Sequence, residues 1–489
     1  MGFNMYSELN ENRIVANIKK LNYRDLIIFL IPFAIFMYYL YIYNPGIIHY
    51  DAYNQLHQIA THRFFNWHPF FHTFIEMLCL KIYRSPLSVG FMQIAVFSTM
   101  WMIICKYNRF EDTEINKKFI LQVIVTLVIA IIPINGIYAI TLGKDILFSY
   151  CILLLSFLIE VMVDRKSNIS YPFAILMSLA MAFICQLRPN GTIVVLALLV
   201  IFAIYFFKRN RDKKLHLVIP IATIAFILLI SSLSIAYDVE NNQKDVILDK
   251  TAHILSFYDL NIEISDSDKQ KINELVSQKD IDEHFNIHYT DPTYRDLNKT
   301  AYQSDKSTYI KMAVMYSLKN PMKFLEYVFL SSAMVWDVTR DSDWVGNAYN
   351  TDIESAKNAF YNAHKIHPAS DIDNASAVNL GTESYNNLNS FVETFRDNHI
   401  LDTLFYSPAL YMYLAFILLG IIYWMTRVKE VFLIYVPNLM NIFTITLSTP
   451  IQSNRYLYGN LLVFYLLLIM AIGLWGNKNN KLQEKENIL

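Results

Sequence analysis

Runs of about 20 apolar residues recur along most of this chain, and nothing else in the sequence constrains its fold as strongly. A helix of that length matches a hydrocarbon layer of about 30 Å. About ten such runs begin, near Leu26, Pro86, Lys118, Asp145, Tyr171, Thr192, Leu215, Phe405, Val431 and Leu457. Composition agrees: the 489 residues are 54% hydrophobic, 15% aromatic and only 17% charged, with a mean hydropathy of +0.29. A soluble chain of this length is less apolar. The expected fold class is therefore an all-α polytopic membrane protein. A net charge of -1 gives no general attraction to nucleic acid. Cys79, Cys105, Cys151 and Cys185 fall in apolar segments without metal-ligand spacing and read as packing residues.

Basic residues between the runs set the topology. Arg13, Lys19, Lys20 and Arg24 precede the first run, which is long for a signal peptide and lacks a small-residue cleavage site. It reads as a retained first span with its N-terminus inside. The segment from Phe70 to Tyr83 is short and carries Glu76 and Lys81, and a charge at mid-bilayer costs at least about 2.5 kcal/mol. It reads as a helix along the outer membrane surface. If it does not cross, the clusters at Lys106 to Lys118, Arg165 and Lys166, Lys208 to Lys214, Arg427 and Lys429, and the C-terminal tail all lie inside. If it crosses, most of them fall outside.

This arrangement divides the chain into an N-terminal module over residues 1–236, with a first outer loop at 45–85, a large extracytoplasmic insert over 237–404, and C-terminal spans with a cytoplasmic tail over 405–489. Within the insert, Thr308 to Trp336 is amphipathic with a break at Pro321 and reads as juxtamembrane helices. The WDVTRDSDWVGNAYN and HPASDIDNASAVN stretches that follow read as loop.

The polar groups concentrate outside. The stretch from Ile47 to Thr73 holds Asp51, Arg63 and His49, His57, His62, His68 and His72 among aromatics. Three short outer turns each carry a base: Lys144 in LGKD, Arg188 in LRPNG and Arg455 in SNRY. Mid-span positions are almost free of ionisable residues, whereas ion-coupled carriers need such groups near the midplane. A histidine zinc motif is disfavoured, because Pro69 stands where the helical motif between His68 and His72 would carry its Glu.

HYDAYNQ after the first span, then NWHPFFHTFIE opening a short surface helix, resemble the GT-C membrane glycosyltransferases. The likeness is greatest to a bacterial branch related to the protein mannosyltransferases and the lipid A aminoarabinose transferase. LGKD, RPNG, NPMKFLEY and RYLYG occur where that branch carries related motifs. At the residue level the resemblance covers about Tyr50 to Thr73, and in layout most of the chain.

The resemblance implies an inverting glycosyltransferase of the bacterial cytoplasmic membrane, with its site on the extracytoplasmic face. It would move a sugar from a polyprenyl-phosphate donor to a cell-envelope glycan, lipid or protein, with Asp51 as general base. The chemistry fits: an attacking hydroxyl needs a base, and a departing phosphate needs charge stabilisation more than an acid. Lys144, Arg188 and Arg455, with Tyr456 beside the last, are the candidate phosphate ligands, against snorkelling at helix ends as the plainer reading. Asp145 could bind acceptor, hold a divalent cation (Mg or Mn) with Asp51, or cap its helix. His68 could orient the surface helix or touch the donor phosphate. Metal dependence stays open. A lipid-linked polysaccharide polymerase or ligase is the nearest alternative, and a transporter or flippase a more distant one.

Overall fold

A computed structural model describes residues 21–109, 115–165, 169–209, 215–242, 245–295, 297–339, 351–448 and 453–486. The chain is almost wholly helical. Helices that follow the apolar runs are α1 (Tyr23–Ile42), α4 (Leu87–Asn108), α5 (Ile115–Ile131), α7 (Lys144–Asp164), α8 (Tyr171–Leu187), α9 (Gly191–Arg209), α10 (Leu215–Ala236), α16 (Pro408–Thr426), α17 (Val436–Ser448) and α18 (Tyr458–Glu486). Short helices α2 (Tyr50–Thr61) and α3 (Phe70–Ile82) lie between α1 and α4, and α6 (Pro133–Ile140) follows α5. The insert contributes α11 (Val246–Asn261), α12 (Lys306–Lys319), α13 (Pro321–Ser331), α14 (Ile353–His364) and α15 (Glu383–Asp397), with shorter helical turns between them.

Among the described residues, seven helices are long and apolar enough to cross a membrane, or eight if the bent pair α5–α6 is one span. Together they make this a helical membrane protein. Helices α8 and the described part of α9 are apolar but shorter. One expected continuous run is broken: α5 and α6 meet at 68°. Pro133 cannot donate an amide, and the backbone freed at the break finds side-chain partners. Asn135 donates across the break to the carbonyl of Ile129 at 2.8 Å; at the other end of α6, the Gln93 amide reaches the carbonyls of Ala139 and Thr141 at 3.2 and 3.0 Å.

Side-chain pairs fix which helix ends lie together. Asp25, at the start of α1, accepts from Lys106 at 2.8 Å and Arg109 at 3.2 Å, at the end of α4. The chain therefore leaves α1 and enters α4 at one and the same end of the bundle, so α3 does not cross. This agrees with the non-crossing arrangement expected from the basic clusters. Helix α3 is less superficial than the sequence suggested, however. Its Phe70, His72, Thr73, Glu76 and Met77 are buried, against α2, α4, α8 and α10.

The insert has more structure than its polar composition implied. Leu248, Leu255, Ile272, Tyr302 and Tyr309 form an apolar core of their own. Its second half covers the first outer loop. Ile353, Phe360 and Tyr361 pack on Ala52, Tyr53 and Leu56. His57 pairs with Asp373 at 2.8 Å, and Tyr53 donates to the carbonyl of Ala375 at 2.7 Å. The expected loop at 367–379 is present as turns. Most of the WDVTRDSDWVGNAYN stretch, residues 340–350, lies outside the described residues.

Candidate active site

The site is assembled by a two-residue parallel pairing. Strand β1 (Ile47–Ile48) aligns with β2 (Thr141–Leu142), Ile48 opposite Leu142. Each strand leads straight into a helix, so α2 and α7 begin side by side, with Asp51 in the first turn of one and Lys144 opening the other. His49 caps α2 by accepting the Ala52 amide at its Nδ1. A Cβ on Gly143 would lie 2.6 Å from His49 Nε2, so any side chain there would have to displace the imidazole that caps α2.

Two further chain segments complete the cluster. Arg188 follows the end of α8, and Arg455 sits in a short 3-10 turn just before α18. Arg455 bridges the two acids: Nη2 lies 3.2 Å from Asp51 and Nε 3.2 Å from Asp145. Lys144 Nζ lies 3.4 Å from Asp51, and Arg188 Nη1 lies 3.1 Å from Asp145. The Tyr456 ring sits beneath both guanidinium groups, 4.4 Å from Arg188 and 5.2 Å from Arg455, and its hydroxyl accepts from Arg455 at 3.3 Å. Six of the residues singled out in the sequence therefore meet at one place.

His68 joins the same group. Lys144 donates to its Nδ1 at 3.1 Å, and its Nε2 stands 3.8 Å from Asp51 Oδ1. Since an ammonium only donates, Nδ1 is the acceptor and the ring proton belongs on Nε2, facing Asp51. Burial and then Lys144 lower the His68 ring to about 3, and burial and then Arg455 lower His49 to about 4. Both are neutral at physiological pH. Burial alone would raise the Asp51 carboxyl, but Lys144 and Arg455 outweigh it and hold it well below the ordinary range.

Asp51 is not freely solvated: its side chain is 22% exposed and engaged by two cations. Asp145 stands in the first turn of α7, as a capping role would require, yet it is buried and faces two arginines. The space between the two carboxylates is filled by Arg455, so a divalent cation shared by them would have to displace a guanidinium. Among the described residues no group of three or more His, Cys, Asp or Glu is arranged to hold a metal ion.

The charges do not cancel. Lys144, Arg188 and Arg455 face two carboxylates, with both histidines neutral, leaving one positive charge in excess. The arginine contacts to Asp145 are also close without being aligned as hydrogen bonds at Arg188 Nη1 and Arg455 Nε. Such donors are available to an oxyanion arriving between them.

Sequence reasoning gave no role to His49 or to the second layer behind the site. There the Gln55 amide oxygen accepts from His72 Nδ1 at 3.0 Å while its nitrogen donates to the Thr73 hydroxyl at 2.9 Å, and Glu76 lies 3.6 Å from His72. Burial raises the Glu76 carboxyl well above its ordinary value and lowers His72 to about 3. The available signal was the position of His49 two residues before Asp51, at a helix N-cap.

Comparison of the chain with protein-family models, curated proteins and solved structures finds no match in any of the three.

Proposed function

We propose that this protein is a GT-C-type glycosyltransferase that moves a sugar from a polyprenyl-phosphate donor to an extracytoplasmic acceptor of the cell envelope. The observation that carries the reading is the convergence of Asp51 with Lys144, Arg188 and Arg455, drawn from four distant segments to one end of the helical bundle. A lipid-borne phosphate lies at headgroup depth, where a cluster at the ends of apolar helices would meet it.

In this reading the excess positive charge binds the donor phosphate, with Arg188 and Arg455 presenting planar donors and Lys144 a point charge. Paired with Lys144 and Arg455, Asp51 is a weak base because two cations hold its charge. Phosphate arriving at Lys144 and Arg455 draws them away, and the proton affinity of Asp51 rises as the substrate takes its place. The acceptor O–H proton then passes to Asp51 while its oxygen bonds to the anomeric carbon. The carbon–oxygen bond to phosphate breaks on the opposite face, and polyprenyl phosphate leaves with the electron pair. Configuration inverts. Asp145 holds the two arginines in place.

The test is donor turnover by the protein purified into nanodiscs, offered a panel of polyprenyl-phosphate sugars with a cell-envelope extract as acceptor. Release of polyprenyl phosphate together with a glycosylated product supports the proposal. Product carrying long repeating chains from a diphosphate-linked donor would favour the polymerase or ligase reading.

A further inference from the structure

Helix α12 is apolar on two sides. Tyr309, Met312, Ala313 and Tyr316 face the core of the insert, while Val314 and Leu318, 52% and 76% exposed, point away from it with the half-buried Ile310 one turn earlier. The stripe continues past Asn320 into α13, where Met322, Leu325 and Phe329 are 75%, 58% and 53% exposed. A helix pair facing water would place polar groups there.

This face borders a groove of about 700 Å³ between α11, α12 and α13. Its walls include Ile247, Ile254, Val314, Leu318 and Leu325, and Leu447 at the end of α17 joins them. Because Leu447 terminates a candidate membrane span, the groove opens where the bundle meets the insert and is continuous with the surface the span presents to lipid. Charge also fits. Lys311 and Lys319 stand on α12 beside the stripe, and Lys323 stands on α13. Lys250 lines the groove as well, and its ammonium is buried without a hydrogen-bond partner, 4.8 Å over the Tyr327 ring. A buried ammonium without an acceptor is costly unless an anion can approach it.

We infer that the α11–α12–α13 groove binds an anionic phospholipid of the surrounding bilayer, one acyl chain lying along Val314, Leu318 and Leu447 and the phosphate drawn to Lys250 and the lysines of the rim. The bound lipid would anchor the insert to the membrane surface beside the bundle. Acyl chain rather than polypeptide is the occupant because the groove runs into a membrane-facing helix and, among the residues that line it, the one charge is the basic Lys250. The inference is independent of the proposed transfer reaction.

The experiment uses the full chain in nanodiscs of mixed anionic and zwitterionic phospholipid. A fluorophore is attached at Leu318→Cys or, as control, at the exposed Glu283→Cys outside the groove, and quenched with phospholipid brominated on its acyl chains. Strong quenching at 318 and little at 283 is expected. Native mass spectrometry of the released protein should show retained anionic lipid, with the preference over zwitterionic lipid lost in Lys250→Met. Equal quenching at both positions, an unchanged preference in Lys250→Met, or retention of polyprenyl phosphate alone would each overturn the inference.

Discussion

Replacing Asp51 with Asn removes the negative charge that Lys144 and Arg455 share while keeping nearly the same shape. At the observed 3.4 and 3.2 Å, each pair is worth about 5 kcal/mol of gross Coulomb attraction at an effective dielectric constant of about 20. Desolvation and solvent screening offset most of this. Breaking exposed pairs costs about 0–1 kcal/mol and fully buried ones about 3–5. With Asp51 one-fifth exposed, a stability loss of about 1–3 kcal/mol is expected, and the variant stays folded. Activity should suffer more, because loss of a general base lowers turnover by about 10² to 10⁴, or about 3–5 kcal/mol in the barrier. Donor affinity should hold or tighten, since both cations lose their internal competitor. The assay is transfer in nanodiscs over a range of donor concentrations, beside a melting curve. Asp51→Asn turning over at a rate close to that of the unaltered protein, or losing donor affinity with an unchanged maximal rate, would refute the reasoning.

Arg455→Ala should weaken donor binding and leave folding largely intact, read as a rise in apparent donor KM; an unchanged value would remove Arg455 from the phosphate site. Gly143→Ala places a methyl group 2.6 Å from His49 Nε2 and should shift the start of α2, costing about 1–3 kcal/mol and about 10²-fold in rate, with partial recovery in the His49→Ala, Gly143→Ala double variant. Glu76 is held neutral by burial, its folded value lying above its unfolded one. Its contribution to stability is therefore fully present below the unfolded value and declines as pH rises toward the folded one. Glu76→Gln should accordingly raise the melting temperature more in alkaline than in acidic buffer, and an equal shift in both would contradict the assignment. Asp51 has the opposite sign: its ion pairs persist above the ordinary carboxylate value and fail only as pH falls through its depressed one.

Much of the bundle was legible because hydrocarbon imposes one requirement on every span, an uninterrupted apolar helix of sufficient length. The helices at Tyr171, Gly191, Leu215 and Tyr458 begin within a residue or two of the apolar runs that announced them. The bend between α5 and α6 was not legible, since what makes it tolerable is a contact that exists only once the chain has bent, the Asn135 amide turning back to the Ile129 carbonyl. The insert was harder still. Its helices bury tyrosines such as Tyr258, Tyr302 and Tyr309, a residue equally at home at an interface, so composition did not distinguish a core from a surface. The site residues were legible as types, an acid and three bases on one side. Their meeting point depends on the β1–β2 register and on Phe360 and Tyr361 covering α2, and such long-range pairings leave no periodic trace.

The claim beneath all of this is that the excess positive charge around Arg455 serves a lipid-borne phosphate. Binding of short-chain polyprenyl phosphate and of the matching polyprenol to the protein in nanodiscs, by a direct titration, tests it with no assumption about the sugar or the acceptor. The account predicts that the phosphate binds far more tightly than the alcohol and that Arg455→Ala and Arg188→Ala narrow the difference. Equal affinity for the two lipids, or a difference that survives in both variants, would contradict it.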